Sequence, residues 1–299
     1  MCKRLKGSPF KPGFALSGFQ SAVGERTAPA FCERMSSSMT KRLILSGCNG
    51  KMGRVVSRSI QDRKDCLLVA GFDIDSKVKE SFPVLADPMQ FDGRADAVID
   101  FSNPAFQPKL LAFGLERRIP LVVATTGLNE EQVGRLKEAS KEIPIFFSAN
   151  MSLGVNLLLE LSKKAAQVLG GQFDIEIIEQ HHNQKVDAPS GTALMLADGI
   201  SAVLPSPPEY VYDRHSVRRK RSRDEIGIHS VRGGTIVGEH EVIFAGQDEV
   251  ITLRHSAMSK QIFANGAIRA ALFLCRQKPG LYNMGDLLSS EQEVNDGRD

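Results

Sequence analysis

The 299-residue chain has no apolar run of about 18 residues, the length that a membrane-spanning helix needs. It also has few cysteines, and they form no Cys-x-x-Cys pair. The five are Cys2, Cys32, Cys48, Cys66 and Cys275. Their scatter argues against a disulfide framework and against a zinc ribbon. We therefore expect a reducing compartment and a cytoplasmic protein without a membrane partner.

The chain has little net charge, only +3. Residues 1–38 contain six Lys or Arg and two Glu, which leaves a net charge of −1 for the rest of the chain. A nearly neutral body has no strong attraction for a phosphate backbone. We therefore expect no nucleic-acid partner, and we interpret the basic run at residues 218–221 as a solvated loop.

Residues 1–38 lack any helical or strand periodicity and are rich in Ser, Gly, Pro and Lys. We expect this segment to lie outside the fold, so that a chain beginning at Met39 keeps its activity. Three interpretations stay open: true initiation at Met35 or Met39, a disordered tail, or an organelle transit peptide. A secretory signal is not expected, because the segment has no long apolar region.

From residue 42 onward, short apolar stretches alternate with helical patterns. We predict a helix at residues 51–63 and strands at residues 43–46, 67–72, 97–100, 121–124 and 145–147. Short apolar strands separated by helices are typical of a parallel sheet. The front of the chain is therefore predicted to be an α/β domain with a Rossmann-like parallel sheet.

The pattern changes after residue 150. Helices are predicted at residues 155–168, up to 204 and at 261–275, and strands at 173–179, 226–231, 235–244 and 250–254. Helices followed by a run of strands indicate an α+β domain with an open mixed sheet. The acidic, polar residues 289–299 are predicted to form a frayed tail.

Three glycines in the spacing Gly-x-x-Gly-x-x-Gly follow the first predicted strand and open the first predicted helix. Such a turn lets backbone N–H groups approach a pyrophosphate at a helix N-terminus, although a plain tight turn is an equal alternative. Asp73 closes the next strand about 20 residues on, where a carboxylate binds ribose hydroxyls; an acidic surface loop is the alternative. The predicted cofactor-binding residues here are Gly47, Cys48, Asn49, Gly50, Lys51, Met52, Gly53 and Asp73.

The residues around Asp73 also bear on the choice of nucleotide. A carboxylate repels a 2′-phosphate, and the next residue is Ile74, which cannot neutralise one. We therefore expect NADH to be well tolerated. Lys51 could contact a phosphate, which keeps NADPH open as the alternative.

The most informative stretch spans residues 176–193, which hold two adjacent histidines and a lysine followed by Ser-Gly-Thr. The ionisable groups can exchange protons near neutral pH, and Ser-Gly-Thr can open a helix with free N–H groups. Together they suit a small substrate with two carboxylates; a solvated loop with an ordinary helix cap is the alternative. A metal site is not expected, because the spacing matches no zinc signature. The candidates are His181, His182, Lys185, Ser190, Gly191 and Thr192.

The run from Glu179 to Ala193, Glu-Gln-His-His-Asn-Gln-Lys-Val-Asp-Ala-Pro-Ser-Gly-Thr-Ala, together with the glycine motif, resembles the 4-hydroxy-tetrahydrodipicolinate reductase family, also called dihydrodipicolinate reductase. The order and spacing of segments are similar from residue 41 to 288. The resemblance implies NAD(P)H-dependent reduction of a cyclic imine with two carboxylates in lysine biosynthesis. It implies a homotetramer joined through the open sheet.

The same resemblance implies a nucleotide domain at residues 39–150, completed by residues 262–288, and a substrate-binding and oligomerisation domain at residues 151–261. His181 would be the acid/base and Lys185 the proton donor. The substrate's carboxylates would be held by His182, Ser190, Gly191 and Thr192. His240 and His255 receive no role, since a satisfied buried histidine is the simpler interpretation.

Two loops after strand ends are similar to the nicotinamide-side loops of that family, although ordinary turns are the alternative. They contain Ala124, Thr125, Thr126 and Gly127 in the first, and Ser148, Ala149, Asn150 and Met151 in the second. Two other functions stay open. One is another hydride transferase with the same nucleotide domain, and the other is a catalytically silent nucleotide-binding regulator.

Overall fold

The computed structural model describes residues 40–77 and 80–295. The predicted extension at residues 1–38 therefore lies outside the described residues. Within the described ranges, no helix is long and apolar enough to cross a membrane. These residues belong to one compact unit and contain two sheets with separate apolar clusters.

Strands and helices alternate in the first part of the chain. They are β1 (Lys41–Ser46), α1 (Lys51–Gln61), β2 (Cys66–Phe72), β3 (Val84–Leu85), β4 (Ala97–Asp100), α2 (Gln107–Arg117), β5 (Leu121–Val123), α3 (Glu130–Ala139) and β6 (Pro144–Phe147). All four residues of β4 are buried, as expected for a central strand of a parallel sheet. In α1, by contrast, only one face is buried, through Val56 and Ile60.

The second part of the chain begins with two helices around a strand and then runs through consecutive strands. Its elements are α4 (Leu153–Leu169), β7 (Asp174–His181), α5 (Gly191–Ser201), β8 (Glu209–Val211), β9 (Glu225–Arg232), β10 (Gly238–Ala245), β11 (Val250–Ala257), α6 (Gln261–Leu274), β12 (Gly280–Tyr282) and α7 (Met284–Asn295).

The first sheet has seven parallel strands in the order β12-β6-β5-β4-β1-β2-β3. Apolar clusters cover both of its faces, and α6 returns to one of them. There Ala264, Ala267 and Ala271 pack in one cluster with Leu43 and Ile99 of the sheet. The predicted Rossmann-like parallel sheet is confirmed, and the carboxyl ends of β1, β4, β5 and β6 lie along one edge of it.

The second sheet is mixed, in the order β11-β10-β7-β9-β8, with β10 antiparallel to both of its neighbours. Helices α4 and α5 pack on one face. Every second residue of β7 is buried on that side, from Ile175 through Ile177 and Glu179 to His181. The predicted second, mixed sheet is confirmed, while the predicted domain boundary at residue 150 stays a prediction.

The structure corrects three details. Strand β7 extends to His181, so this histidine ends a strand and does not lie in the loop after it. Residues 289–295 are helical, where we expected a frayed tail, because α7 is anchored by buried Met284 and Leu287. In the basic run, Arg221 is not solvated: its guanidinium bonds to Asp174 at 2.9 Å and to Glu176 at 2.9 Å.

Candidate active site

Two glycines at the junction of β1 and α1 have no room for a side chain. Gly47 has a φ of +75°, and a Cβ on Gly53 would lie 2.1 Å from the carbonyl oxygen of Gly47. Gly50 precedes α1 without a side-chain cap, and the first turn contains no acidic residue. The N–H groups at this helix end are therefore open to an anion, and the cradle fits a dinucleotide's pyrophosphate.

Asp73, at the end of β2, holds this loop in place. Its Oδ2 accepts the N–H of Asn49 at 3.0 Å, and its Oδ1 accepts the N–H of Asp75 at 3.2 Å. The carboxylate lines a cavity of ≈ 190 Å³ together with Gly47, Gly50 and Phe106. Asp73 is thus placed both to shape the glycine loop and to face a ligand.

Cys48 contributes to the loop in a different way from its neighbours. Its side chain is buried, and its Sγ would lie 2.6 Å from a Cβ on Gly71. Burial, and then the charge of Asp73, raises the pKa of this thiol to about 12. The side chain therefore belongs to the core, and only the backbone of Cys48 is available to a cofactor.

Asp100, at the end of β4, is a second buried carboxylate at this edge of the sheet, and the sequence did not point to it. It accepts the hydroxyl of Ser102 at 2.6 Å and that of Thr125 at 2.7 Å. Both hydroxyls donate to Asp100, so each presents its remaining lone pairs as acceptors. This bond network joins the loop after β4 to the predicted nicotinamide-side loop after β5.

A cavity of ≈ 460 Å³ lies beside these hydroxyls and contains residues from many separate segments. Its wall is formed by Met52, Phe101, Ser102, Ala124, Thr125, Thr126, Ala149, Asn150, Met151, Thr192, Lys260 and Phe263. Seven predicted site residues are therefore brought together with Thr192 of the predicted substrate site. Gly127 and Ser148, from the same predicted loops, are not among the lining residues.

A hydrogen bond connects the two predicted halves of the site. Asn150 Nδ2 donates to Oγ1 of Thr192 at 2.9 Å, across 42 residues of sequence. Ser148 supports the loop from behind, since its hydroxyl donates to the carbonyl of Asn150 at 2.9 Å. The loop after β6 and the first turn of α5 therefore share one wall of the cavity.

His181 faces the helix-covered side of the second sheet, beside Glu179. Its Nδ1 lies 2.5 Å from Oε2 of Glu179, and Arg232 of β9 bonds both oxygens of the same carboxylate, at 2.9 and 2.7 Å. Burial lowers the pKa of the His181 imidazole, and the Glu179 carboxylate opposes that shift. The positive charges of Lys185 and Arg232 lower the pKa of the ring further.

The start of α5 is held by a serine and a histidine. Ser190 Oγ accepts the N–H of Ala193 at 3.2 Å and lies 3.1 Å from Nε2 of His240. The His240 ring packs edge-on against that of His181, with centroids 5.2 Å apart. Ser190 therefore caps the helix as the sequence allowed, and Gly191 and Thr192 form its first turn.

The loop between β7 and α5 carries the remaining candidates. Lys185 Nζ lies 2.8 Å from a carboxylate oxygen of Asp187, and its side chain is 21% exposed. His182 has a buried Nδ1 without a hydrogen-bond partner in the described part of the chain. A ligand could supply that partner. Neither residue lines the ≈ 460 Å³ cavity.

Comparison with known proteins identifies the relatives of the chain. Residues 41–151 match the family description "Dihydrodipicolinate reductase, N-terminus", and residues 154–288 match "Dihydrodipicolinate reductase, C-terminus". A 4-hydroxy-tetrahydrodipicolinate reductase of Caldanaerobacter subterraneus subsp. tengcongensis is 56% identical over 84% of this chain and 99% of its own length. The chain belongs to the dihydrodipicolinate reductase family.

Two further members support the family assignment. A 4-hydroxy-tetrahydrodipicolinate reductase of Clostridium tetani is 47% identical over 83% of this chain and 97% of its own length. The solved structure of a dipicolinate-bound dihydrodipicolinate reductase from Paenisporosarcina sp. TG-14 superposes with a TM-score of 0.69 at 26% identity, covering 82% of this chain and 98% of that one. The predicted family and fold class are confirmed, and the chain is an oxidoreductase.

Several residues in and around this site of the dihydrodipicolinate reductase fold were not predicted as site residues from the sequence. They are Glu179, Arg232, His240, Lys260 and Phe263, together with Asp100. A signal existed for Glu179, because it occupies a buried position in the alternating pattern of a strand that also contains Ile175 and Ile177. Arg232 and His240 carry no comparable local signal, since their partners lie 53 and 50 residues away.

Proposed function

We propose that the chain is an NAD(P)H-dependent reductase that forms tetrahydrodipicolinate in the diaminopimelate pathway of lysine biosynthesis. Its substrate is hydroxytetrahydrodipicolinate, or the dihydrodipicolinate imine produced from it by loss of water. Membership of the family supports this reaction. The observation that carries the proposal is the ≈ 460 Å³ cavity, because Thr192 and the two nicotinamide-side loops share its wall.

The residues of the chain have two tasks in this reaction. The nicotinamide, when bound, supplies a hydride, so the protein must supply a proton and hold two carboxylates. Lys185 donates the proton, and His181 acts as the acid/base beside it. The N–H groups at the start of α5 bind a carboxylate, helped by the hydroxyls of Ser190 and Thr192. His182 contributes a further polar contact.

Lys260 adds a cation that the sequence did not suggest. It directly precedes α6 and lines the ≈ 460 Å³ cavity, although it lies far along the chain from the loop between β7 and α5. A cation at the wall of a partly enclosed cavity favours a dianionic ligand. This residue supports a small dicarboxylate as the substrate class.

For the nucleotide, we propose that NADH is well tolerated and that NADPH is the alternative. Asp73 faces the ≈ 190 Å³ cavity, and the adjacent Ile74 is uncharged and 83% exposed. A carboxylate can accept hydrogen bonds from a ribose diol but repels a 2′-phosphate. Lys51, the first residue of α1, is the cation of the glycine motif that could contact a phosphate.

We further propose a homotetramer in which the face of the mixed sheet away from α4 and α5 is covered by other copies. Residues of this face include Val231, which is 45% exposed. An open sheet face with exposed apolar residues is suited to burial in an oligomer. Sedimentation velocity of the full chain should give a tetramer, and a monomer at micromolar concentration would contradict this part of the proposal.

A coupled assay tests the reaction itself. Dihydrodipicolinate synthase generates the unstable substrate, and the absorbance of NADH or NADPH reports its reduction. We expect oxidation of nucleotide that depends on the synthase, together with inhibition by dipicolinate, the ligand named for the Paenisporosarcina relative. Nucleotide binding without turnover would contradict the proposal and favour a silent regulator.

A further inference from the structure

The side chain of Glu179 is fully buried and accepts four hydrogen bonds from three separate elements. Oε2 receives Nδ1 of His181 at 2.5 Å and Nη1 of Arg232 at 2.9 Å. Oε1 receives Nη2 of Arg232 at 2.7 Å and the N–H of Ser190 at 3.1 Å. Two donors on each oxygen satisfy the carboxylate, which explains how it can stay charged without solvent.

These bonds determine which nitrogen of His181 carries a proton. Burial raises the pKa of Glu179, but the bonds from Arg232 and its other donors outweigh burial and hold the pKa at about 2. An ionised carboxylate can only accept, so Nδ1 of His181 must donate. In the neutral ring Nε2 is then unprotonated, and within the described ranges it has no hydrogen-bond partner. A Cβ on Gly238 would lie 3.0 Å from this Nε2, so the glycine leaves the ring its space.

The fourth bond reaches the predicted carboxylate-binding site. Ser190 gives its N–H to Glu179 while its hydroxyl caps α5 through the N–H of Ala193. The position of Ser190 sets the direction in which Gly191 and Thr192 present their N–H groups. Glu179 therefore bonds both to His181, the proposed acid/base, and to Ser190, which begins the proposed carboxylate-binding site.

We propose that Glu179 is a positioning residue for the reduction, an inference that rests on the proposed function. It holds His181 in the Nδ1-protonated tautomer and fixes the start of α5. Proton transfer and binding of the substrate's carboxylates then depend on one buried group.

Charged and titratable groups around His181 determine the direction in which its pKa should change when one of them is removed. They come from four elements: Glu179 on β7, Arg232 on β9, His240 on β10 and Lys185 in the loop. Glu179 favours the imidazolium, whereas Arg232 and Lys185 disfavour it. Burial lowers the pKa of His240 to about 3, so this ring is neutral near pH 7 and adds no charge.

Glu179→Gln and Arg232→Gln should therefore shift the titration of His181 in opposite directions. The glutamine at position 179 removes the anion, so the inflection of the kcat profile that belongs to His181 should move down by about one pH unit or more. The glutamine at position 232 removes a cation and should move it up. In Glu179→Gln, kcat should also fall by about tenfold or more and KM for the dicarboxylate should rise. An NMR titration of the His181 ring in the free protein gives the same shifts without turnover.

Glu176→Gln is the matched control. Glu176 lies on the same strand but on the opposite face, and it also bonds arginines and a histidine, with Arg214 at 2.6 Å, Arg221 at 2.9 Å and His229 at 2.8 Å. This variant should leave the pH of the His181 inflection unchanged and keep kcat within about twofold of the wild-type value. An equal effect of Glu176→Gln and Glu179→Gln would mean a purely structural role and would overturn the inference.

The outcomes separate this inference from the proposed function. If the unmodified chain shows no turnover, the proposed function fails. If it turns over and Glu179→Gln keeps both kcat and the His181 inflection, only the positioning role fails. Should Glu179→Gln not fold, Arg232→Gln decides, because an inflection that stays or moves down overturns the role of Glu179.

Discussion

The candidate sites at the two sheets differ in the groups that bond to their carboxylates. At the first sheet, Asp73 and Asp100 accept bonds from neutral backbone N–H groups and hydroxyls, and the glycine loop offers only backbone. At the second sheet, Glu179 is matched by the guanidinium of Arg232, and histidines and Lys185 surround it. The groups at the first sheet therefore suit recognition of a ligand's shape, whereas the ionisable groups at the second sheet suit proton transfer.

This contrast predicts that changes of charge at the second sheet damage turnover, whereas changes of shape at the first sheet damage nucleotide binding. Lys185→Ala tests the first half and should have the largest effect. Loss of the proton donor should reduce kcat by about 100-fold or more, with an NADH Kd that barely changes. Steady-state kinetics and isothermal titration with NADH measure the two quantities.

Lys141→Ala is the control for this variant, since Lys141 also forms an ion pair, with Glu138 at 2.6 Å, but lies in the exposed turn after α3. It should keep wild-type kcat. Near wild-type turnover of Lys185→Ala at saturating substrate would remove the motif loop from the chemistry.

Gly53→Ala tests the other half through shape alone. The new Cβ would lie 2.1 Å from the carbonyl oxygen of Gly47, so the loop must shift, at a cost of about 2 kcal/mol. The NADH Kd should rise roughly 30-fold. In Gly134→Ala, on α3, no atom beyond the adjacent residues and the backbone of the same helix lies within 4 Å of the new Cβ, and affinity should stay the same. Equal affinities of the two variants would contradict a backbone cradle.

Asp73→Ala sharpens the comparison within the first sheet. It removes the predicted bond to a ribose hydroxyl, about 1.5 kcal/mol, so the Kd of NADH should rise about tenfold. NADPH should lose less, because repulsion of a 2′-phosphate disappears with the charge. Asp87→Ala is the control: it removes the carboxylate that caps the short helical turn Pro88–Gln90 after β3, and it should change the affinity for neither nucleotide. A greater loss for NADPH would show that Asp73 does not bind the ribose.

The smallest effect is expected at the contact between the two sites. Thr192→Ala removes the acceptor of the Asn150 amide and one neutral bond to the substrate, about 1 kcal/mol. KM for the dicarboxylate should rise about fivefold while kcat stays within twofold. Thr192→Ser keeps the hydroxyl and should behave as wild type, and a fall in kcat in both variants would count against a binding role.

Local patterns explain why much of this molecule could be predicted. The glycine loop lies within a single strand-loop-helix segment, so its spacing could predict a phosphate cradle, with a plain tight turn as the alternative. The residues from His181 to Thr192 are also close in sequence. The pairing of Glu179 with Arg232 spans 53 residues and depends on the register of β7 against β9. No local pattern encodes that register, and the same holds for the bond from Thr125 to Asp100.

Composition misled the prediction at the end of the chain. The residues after 288 are polar and acidic, which resembles a tail, yet Met284 and Leu287 are buried in the cluster that α6 forms with the first sheet. Two apolar anchors in the first turns hold a helix in which residues 289 and 292 are exposed. The side-chain pattern of the preceding turn, and not the composition of the last residues, was the useful signal.

The return of the chain to the first sheet has a consequence for its synthesis. Strand β12 pairs with β6 across more than a hundred residues, as in the register of Gly280 with Pro144, and α6 covers Leu43 and Ile99. A nascent chain that has emerged only as far as β11 therefore exposes an apolar sheet face and an unpaired strand edge. The first sheet is the earliest to leave the ribosome and the last to be completed, so this intermediate is where aggregation and chaperone binding should concentrate.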